Sequence, residues 1–334
     1  MKSTATAGPV AILGAGSWGT AIAIHIAQSG KSVLLWAHNK QHVSDMRTDR
    51  CNARYLPNNP FPSMLEPIDD LAQCMQQASE VIIAVPSHAF LSLLHKLPQR
   101  MQGLAWLTKG IDPETHTLLS DAVNKKWGEH YPIAIISGPS FAGEVAQGLP
   151  TALVVAGNNL EYQQSIRHLL HQKNMRVYLS DDWVGVQLCG AVKNILAIAC
   201  GISDGLNYGA NAKAALITRG LAEMSRLGLA LGARPDTFMG LAGVGDLVLT
   251  CTDDQSRNRR FGLQLGEGID SSTAEKNIGQ VVEGKYNAIQ ICALAAKHHI
   301  DMPICQEVNA VLQGKYTPTE AVSHLMQRPP RDER

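Results

Sequence analysis

Lys193 interrupts an apolar run, Leu188-Cys189-Gly190-Ala191-Val192-Lys193-Asn194-Ile195-Leu196-Ala197, and an ammonium group placed there needs a partner or a role. Its helix-face neighbours, three residues before and four after, are Gly190 and Ala197, small enough to let a ligand approach the charge. Spacing alone leaves two readings open: a structural lysine that snorkels to solvent, or a catalytic one that moves a proton. Lys109 directly follows the extended run Leu104–Thr108, and ligands of doubly wound sheets bind outside the carboxyl ends of the strands. By the same reasoning Gly138-Pro139-Ser140-Phe141-Ala142-Gly143-Glu144, after Ile133–Ser137, offers glycines and a hydroxyl to a small polar substrate. An ordinary turn is the plain alternative for either segment. Further along, a glycine-rich stretch from Gly240 leads to one carboxylate, Asp246, and then Ser256-Arg257-Asn258-Arg259-Arg260 groups guanidinium groups with two polar donors. Such a set suits bidentate phosphate recognition. A solvated basic face is the commoner origin of a short cluster like this.

A second chemistry lies near the start of the chain. Val10-Ala11-Ile12-Leu13 runs into Gly14-Ala15-Gly16-Ser17-Trp18-Gly19 and an alanine-rich helix, which is the strand, tight turn and helix that a dinucleotide pyrophosphate needs. Glycines let the backbone approach the phosphates, and the helix start offers free N–H groups with a favourable dipole. The second strand ends at Trp36-Ala37-His38, where NAD-specific sites place an acid on the ribose hydroxyls. His38 cannot repel a 2′-phosphate, and with Lys40 and Arg54 in the same region NADP is expected to be accepted as well as NAD. The alternative for His38 is a solvated loop residue.

These groups need elements to hold them. The first half alternates strand-like runs (Val10–Leu13, Ser32–Ala37, Val81–Val85, Leu104–Thr108, Ile133–Ser137, Ala152–Val155) with helical stretches, which predicts an α/β fold with a mostly parallel, doubly wound sheet of the Rossmann type. From about Trp183 long Ala-, Leu- and Gly-rich helical patterns take over, so the expected organisation is a dinucleotide-binding domain over residues 1–182 and an all-α substrate-binding and catalytic domain over 183–334. Asp181 and Asp182 are natural N-caps for the first of those helices. The stretch Val184–Ile202 approaches the length of a membrane span, but a central lysine is costly in lipid, so a buried helix is expected and no membrane span.

Composition narrows the function classes. With 334 residues, 45% hydrophobic and 17% charged, the chain is an ordinary globular one of about two domains. Lys plus Arg and Asp plus Glu each number 29, so no global field draws nucleic acid or an anionic membrane, and a phosphate site must be local. Seven cysteines without a C-x-x-C pair argue against a disulfide framework or thiolate metal site. No signal-peptide core precedes the first strand, and a cytoplasmic location is expected. His168 and His171 lack a carboxylate or Cys at ligand spacing, so no metal is expected.

Taken together, the chain from Gly14 to about Pro303 closely resembles the soluble bacterial-type NAD(P)-dependent glycerol-3-phosphate dehydrogenases. The matches are the fingerprint with Trp18, Asn52-Ala53-Arg54-Tyr55-Leu56-Pro57, Thr108-Lys109-Gly110, Ser137-Gly138-Pro139-Ser140-Phe141-Ala142, Val192-Lys193-Asn194, Gly245-Asp246-Leu247, Ser256-Arg257-Asn258-Arg259 and Val281-Val282-Glu283-Gly284, in that order. The resemblance implies a cofactor, NAD or NADP, contacted by Gly14, Gly16, Ser17, Trp18, Gly19, His38, Lys109, Ala142, Arg257, Val281 and Glu283. It implies a phosphorylated triose or polyol as substrate, held by Lys109, Gly138, Ser140, Lys193, Asp246, Ser256, Arg257 and Asn258, with Lys193 catalytic and the site in a cleft between the domains. It further implies interconversion of sn-glycerol 3-phosphate and dihydroxyacetone phosphate, supplying the former for phospholipid synthesis. One departure is Asn287, where relatives usually carry Thr; both residue types cap helices. A dehydrogenase of a β-hydroxyacid or an opine, or a non-catalytic dinucleotide sensor, would share parts of this pattern. The oligomeric state, a homodimer included, is open.

Overall fold

The computed structural model describes residues 8–99, 102–330 and 332. Residues 1–7, which carry most of the leader reading, lie outside them. The described chain falls into two compact units, one running to Thr108 and resuming over Leu119–Trp183, the other comprising Lys109–Leu118 and everything from Val184. The second unit therefore includes a segment from inside the first half of the sequence, which the division at residue 182 does not anticipate.

In the first unit the order is β1 (Val10–Leu13), α1 (Ser17–Gln28), β2 (Val33–Trp36), α2 (Lys40–Asp49), β3 (Cys51–Asn52), β4 (Leu56–Pro60), β5 (Leu65–Ile68), α3 (Leu71–Gln77), β6 (Glu80–Ile83) and α4 (Ser87–Lys96). It continues with β7 (Leu104–Trp106), α5 (Leu119–Trp127), β8 (Ile133–Ser137), α6 (Ala142–Ala146), β9 (Thr151–Gly157), α7 (Leu160–Leu170) and β10 (Met175–Ser180). Eight strands form one sheet in the order β10-β9-β8-β7-β6-β1-β2-β5. All neighbours are parallel except β8 and β9. Central strands such as β1 are buried along their whole length, because helices cover both faces and no polar side chain can be tolerated on either. The order reverses between β2 and β6, on either side of β1, so the glycine turn after β1 stands at the topological switch point where such sheets bind ligands.

The six strand-like runs seen in sequence all form strands. The two sheet edges, β5 and β10, escape that reading for a physical reason. β5 contains Glu66 and Pro67, tolerated only where one ladder side is unpaired. β10 begins by alternating buried and exposed residues, so its apolar run is broken.

The second unit is helical: α8 (Trp183–Gly205), α9 (Gly209–Ala230), α10 (Pro235–Phe238), a π-type turn over Leu241–Gly245, α11 (Asp246–Thr252), α12 (Arg257–Gly266), α13 (Ser271–Ile278), α14 (Glu283–Lys297), α15 (Pro303–Leu312) and α16 (Pro318–Met326). Helix α8 is long and apolar enough to cross a membrane, and its most apolar stretch is entirely buried within the structure. Its glycines Gly201 and Gly205 meet Gly262 and Gly266 of α12 backbone to backbone: a Cβ on Gly262 would lie 2.2 Å from the carbonyl oxygen of Ile198, and one on Gly205 2.3 Å from that of Leu263. Ile111 and Leu118 join the core of this unit beside α8 residues such as Leu188 and Ile195, which explains why their segment groups with it.

Candidate active site

Within the second unit, Lys193 on α8 is 6% exposed and Asp246, the first residue of α11, is 1% exposed. The Lys193 ammonium donates to Asp246 Oδ1 at 2.5 Å and to Thr250 Oγ1 at 2.9 Å. Lys109 donates to the other carboxylate oxygen, Oδ2, at 2.7 Å. One buried carboxylate thus bridges two ammonium groups, an arrangement that leaves an excess positive charge in a largely buried site. Burial pulls the Lys193 ammonium down to about 8, with Asp246 opposing the shift and Lys109 adding to it. For Asp246 burial acts upward, but the Lys109 and Lys193 charges outweigh it and hold the carboxyl below its ordinary range. The room beside Lys193 that Gly190 leaves is used by protein: a Cβ there would touch the Lys109 stem, with Cγ at 3.4 Å. Ala197 lies fully buried in the hydrophobic core of the helical unit.

The arginine cluster divides by role. Ser256 is the N-cap of α12 and accepts from the Arg259 backbone N–H at 3.2 Å. Arg259 is buried and paired with Asp204 and Asp254. Arg260 is exposed. Arg257, half-buried, donates to Gln280 Oε1 at 3.2 Å; burial lowers its guanidinium, with Glu283 opposing and Arg260 adding to the effect. Asn258 joins three helices, donating to Asn194 Oδ1 at 3.0 Å and accepting from the Gly284 N–H at 2.9 Å. Because Asn194 directly follows Lys193, this bond ties α12 to the helix turn that carries the buried lysine. Val281 and Glu283 are half-buried at the start of α14. Asn287 sits inside that helix and donates to the Ala191 carbonyl at 3.1 Å, so it does not act as a cap. Sequence reasoning assigned no role to Thr250 or Asn194. The spacing of Thr250, four residues after Asp246 and hence on the same helix face, was the available signal.

In the first unit, the turn after β1 has the shape of a phosphate cradle. Gly14 has φ of +131°, and a Cβ there would lie 2.6 Å from the Ala84 carbonyl oxygen. A Cβ on Gly19 would lie 2.0 Å from the Gly14 carbonyl oxygen, so the helix packs too closely on the turn for any larger residue. At Gly16, by contrast, nothing lies within 4 Å, and α1 begins there with no side-chain cap. Open space over uncapped helical N–H groups fits a pyrophosphate. The Trp18 indole N–H is buried and finds no hydrogen-bond partner among the described residues. The Ser17 hydroxyl donates to the Tyr55 carbonyl at 2.7 Å. His38 is exposed just beyond β2. Gly138, at φ of +132°, accepts from the Ser140 hydroxyl at 2.9 Å, and Ala142 opens α6, which packs on α1. His171 accepts from the Val177 N–H at 3.3 Å, and the described residues contain no group of three or more His, Cys, Asp and Glu arranged to hold a metal.

A switch-point glycine turn in a mostly parallel sheet, followed by a separate helical unit, is the architecture of a two-domain nicotinamide-dependent dehydrogenase. Residues 9–163 match the family described as NAD-dependent glycerol-3-phosphate dehydrogenase N-terminus, and residues 182–323 match its C-terminus. The chain belongs to the NAD-dependent glycerol-3-phosphate dehydrogenase family. It is 65% identical over 324 residues to the glycerol-3-phosphate dehydrogenase [NAD(P)+] of Legionella pneumophila (strain Corby), covering 97% of this chain and 98% of that one. It is 49% identical over 329 residues to the protein of that name from Yersinia pestis (strain Pestoides F), covering 97% of each. The crystal structure of glycerol-3-phosphate dehydrogenase from Coxiella burnetii superposes with a TM-score of 0.92 at 49% identity, over 96% of this chain and 99% of that one.

Proposed function

We propose that this protein interconverts sn-glycerol 3-phosphate and dihydroxyacetone phosphate with NAD(P)(H), and that the observation carrying its mechanism is the Lys193–Asp246–Lys109 bridge. When bound, the reduced cofactor supplies the hydride that completes the two-electron reduction of the ketone carbon. Gly14, Gly16, Ser17, Trp18, Gly19, His38 and Ala142 would hold it, and Lys109, Arg257, Val281 and Glu283 are further residues that would contact it. Lys193 gives its proton from Nζ to the ketone oxygen as that oxygen becomes an alkoxide, and takes it back in the oxidative direction. A group that titrates at about 8 suits both roles near neutrality, since it is mostly charged at pH 7 yet gives up its proton without a large penalty. Lys109 adds positive charge where the oxyanion develops. Asp246 holds both ammonium groups in place, and Thr250 anchors the Lys193 end of the bridge.

Arg257 grips the substrate phosphate, and Asn258, fixed between Asn194 and Gly284, lends its position to the same pocket. Ser256, the N-cap of the helix that carries them, joins them in contacting the substrate. Gly138 and Ser140 line the substrate from their turn. With His38 in place of an acid, both NADH and NADPH are accepted. All seven cysteines are free, which suits a reducing cytoplasm, where the product feeds phospholipid synthesis.

The test is a steady-state assay with dihydroxyacetone phosphate and either reduced cofactor, run on wild type and Arg257→Ala. Losing a charge-assisted phosphate contact lowers kcat/KM by roughly 30- to 5,000-fold on dihydroxyacetone phosphate. Dihydroxyacetone, which lacks the phosphate, is a poor substrate for both proteins and separates them far less. Equal losses on the two ketones, with cofactor binding intact, would remove Arg257 from phosphate recognition.

A further inference from the structure

The Asn52–Pro57 segment stands out in the sequence but has no part in the chemistry above. In the structure it closes over the glycine turn through one side chain. Asn52 is 0% exposed, at the end of β3, and its amide makes four hydrogen bonds. Its nitrogen donates to the Ala15 carbonyl at 2.9 Å and to Thr20 Oγ1 at 2.8 Å. Its oxygen accepts from the Tyr55 N–H at 3.1 Å and from His42 Nε2 at 3.0 Å. The orientation is fixed by the partners, because a carbonyl can only accept and a backbone N–H can only donate. His42 must therefore carry its proton on Nε2. Ala15 lies inside the glycine turn and Thr20 in the first turn of α1. His42 belongs to α2, whose N-cap Asn39 accepts from the His42 N–H at 2.9 Å and directly follows His38. The Ser17–Tyr55 bond closes the same link a second time.

We propose that Asn52 is a positioning residue for the dinucleotide: it ties the phosphate-binding turn at Ala15 and Thr20 to the ribose-side segment His38–His42, so that both ends of the adenosine diphosphate half meet a pre-set geometry. This rests on the first unit binding NAD(P)(H). An amide suits the position because each partner class is met once per lone pair or N–H: two acceptors on one edge, two donors on the other. Aspartate has the same shape but presents an oxygen to the Ala15 carbonyl. Any apolar residue leaves four buried groups without partners.

The test is titration of purified protein with NADH, followed by nicotinamide fluorescence, alongside steady-state kinetics. In Asn52→Asp the Kd and KM for NADH rise together by roughly 10- to 50-fold, the scale of losing buried hydrogen bonds that set a binding surface. The kcat at saturating NADH and the KM for dihydroxyacetone phosphate stay within about threefold, since the turn makes no contribution to proton transfer. Thr20→Val removes a single acceptor and raises Kd by about 3- to 10-fold, while Thr20→Ser keeps the hydroxyl and restores wild-type binding. A purely structural role lowers the Tm and leaves the Kd of the folded protein unchanged. That outcome in Asn52→Asp overturns the proposal, and if this variant does not fold, an unchanged Kd in Thr20→Val does so instead. Wild-type protein that failed to bind NADH would sink the cofactor reading itself, a result distinct from equal affinities in variant and wild type.

Discussion

A charged lysine inside an apolar helix is expensive unless its charge is matched, and here the match is deliberately incomplete: Asp246 serves two ammonium groups. The excess charge together with burial keeps Lys193 near 8, whereas a private carboxylate would have held it higher. Two outcomes follow for this residue. Lys193→Met lowers kcat by roughly 10²- to 10⁴-fold, the range for losing a general acid or base, with little change in NADH affinity. The pH dependence has opposite signs in the two directions: reduction needs the ammonium and declines as pH rises through about 8, whereas oxidation needs the free amine and increases over the same range. Pre-steady-state rates in both directions check this. Parallel limbs of the same sign would assign the ionisation to some other group.

Among elements, the crossing of α8 with α12 decides how far Lys193 stands from Arg257. Both helices present glycines at the contact, so the approach is limited by backbone atoms alone, and Asn258 reaches Asn194 directly. A methyl group at Gly262 would meet the Ile198 carbonyl oxygen at 2.2 Å, and backbone cannot rotate away as a side chain can. Gly262→Ala is therefore expected to cost about 1–3 kcal/mol in denaturant unfolding, the range for overpacking a filled core. Because α12 carries Arg257 and Asn258, the KM for dihydroxyacetone phosphate rises by more than the KM for NADH. Equal rises in the two constants would mean that the crossing does not set the substrate site.

Across the whole molecule, the chain reaches its helical unit twice. Lys109–Leu118 brings Lys109 to Asp246, and also places Ile111 and Leu118 in the helical core, at 0% and 6% exposure. Each buried aliphatic side chain is worth about 1.5–3 kcal/mol, a large share of the net stability of a small domain. A fragment of residues 184–334 alone, lacking that segment, is expected to show helical circular dichroism but a broad thermal transition and dye-accessible apolar surface. A sharp cooperative transition in the isolated fragment would show that the segment serves chemistry and not folding.

How much of this was visible in the residues follows from the range of the interactions involved. Patterns within about 20 residues were legible: the glycine turn after a β-branched run, the six strand runs, and the change to helical periodicity near Trp183. Lys193 was conspicuous because a lone charge in an apolar helix breaks a local rule. What the residues alone left open were choices made across long separations. Ser256 and Arg259 read only as polar members of a basic cluster, and the fold adds that Ser256 caps α12 while Arg259 is a buried pair with Asp204 and Asp254. Gly190 read as space for a ligand, and Lys109 occupies it. The edge strands β5 and β10 and the tie from Asn52 to Ala15 left no periodic trace, because an edge needs only one apolar face and a single buried amide has no period at all. Local pattern follows from the covalent spacing of side chains along one element. Which donor meets which acceptor depends on burial, and burial exists only after distant segments have packed.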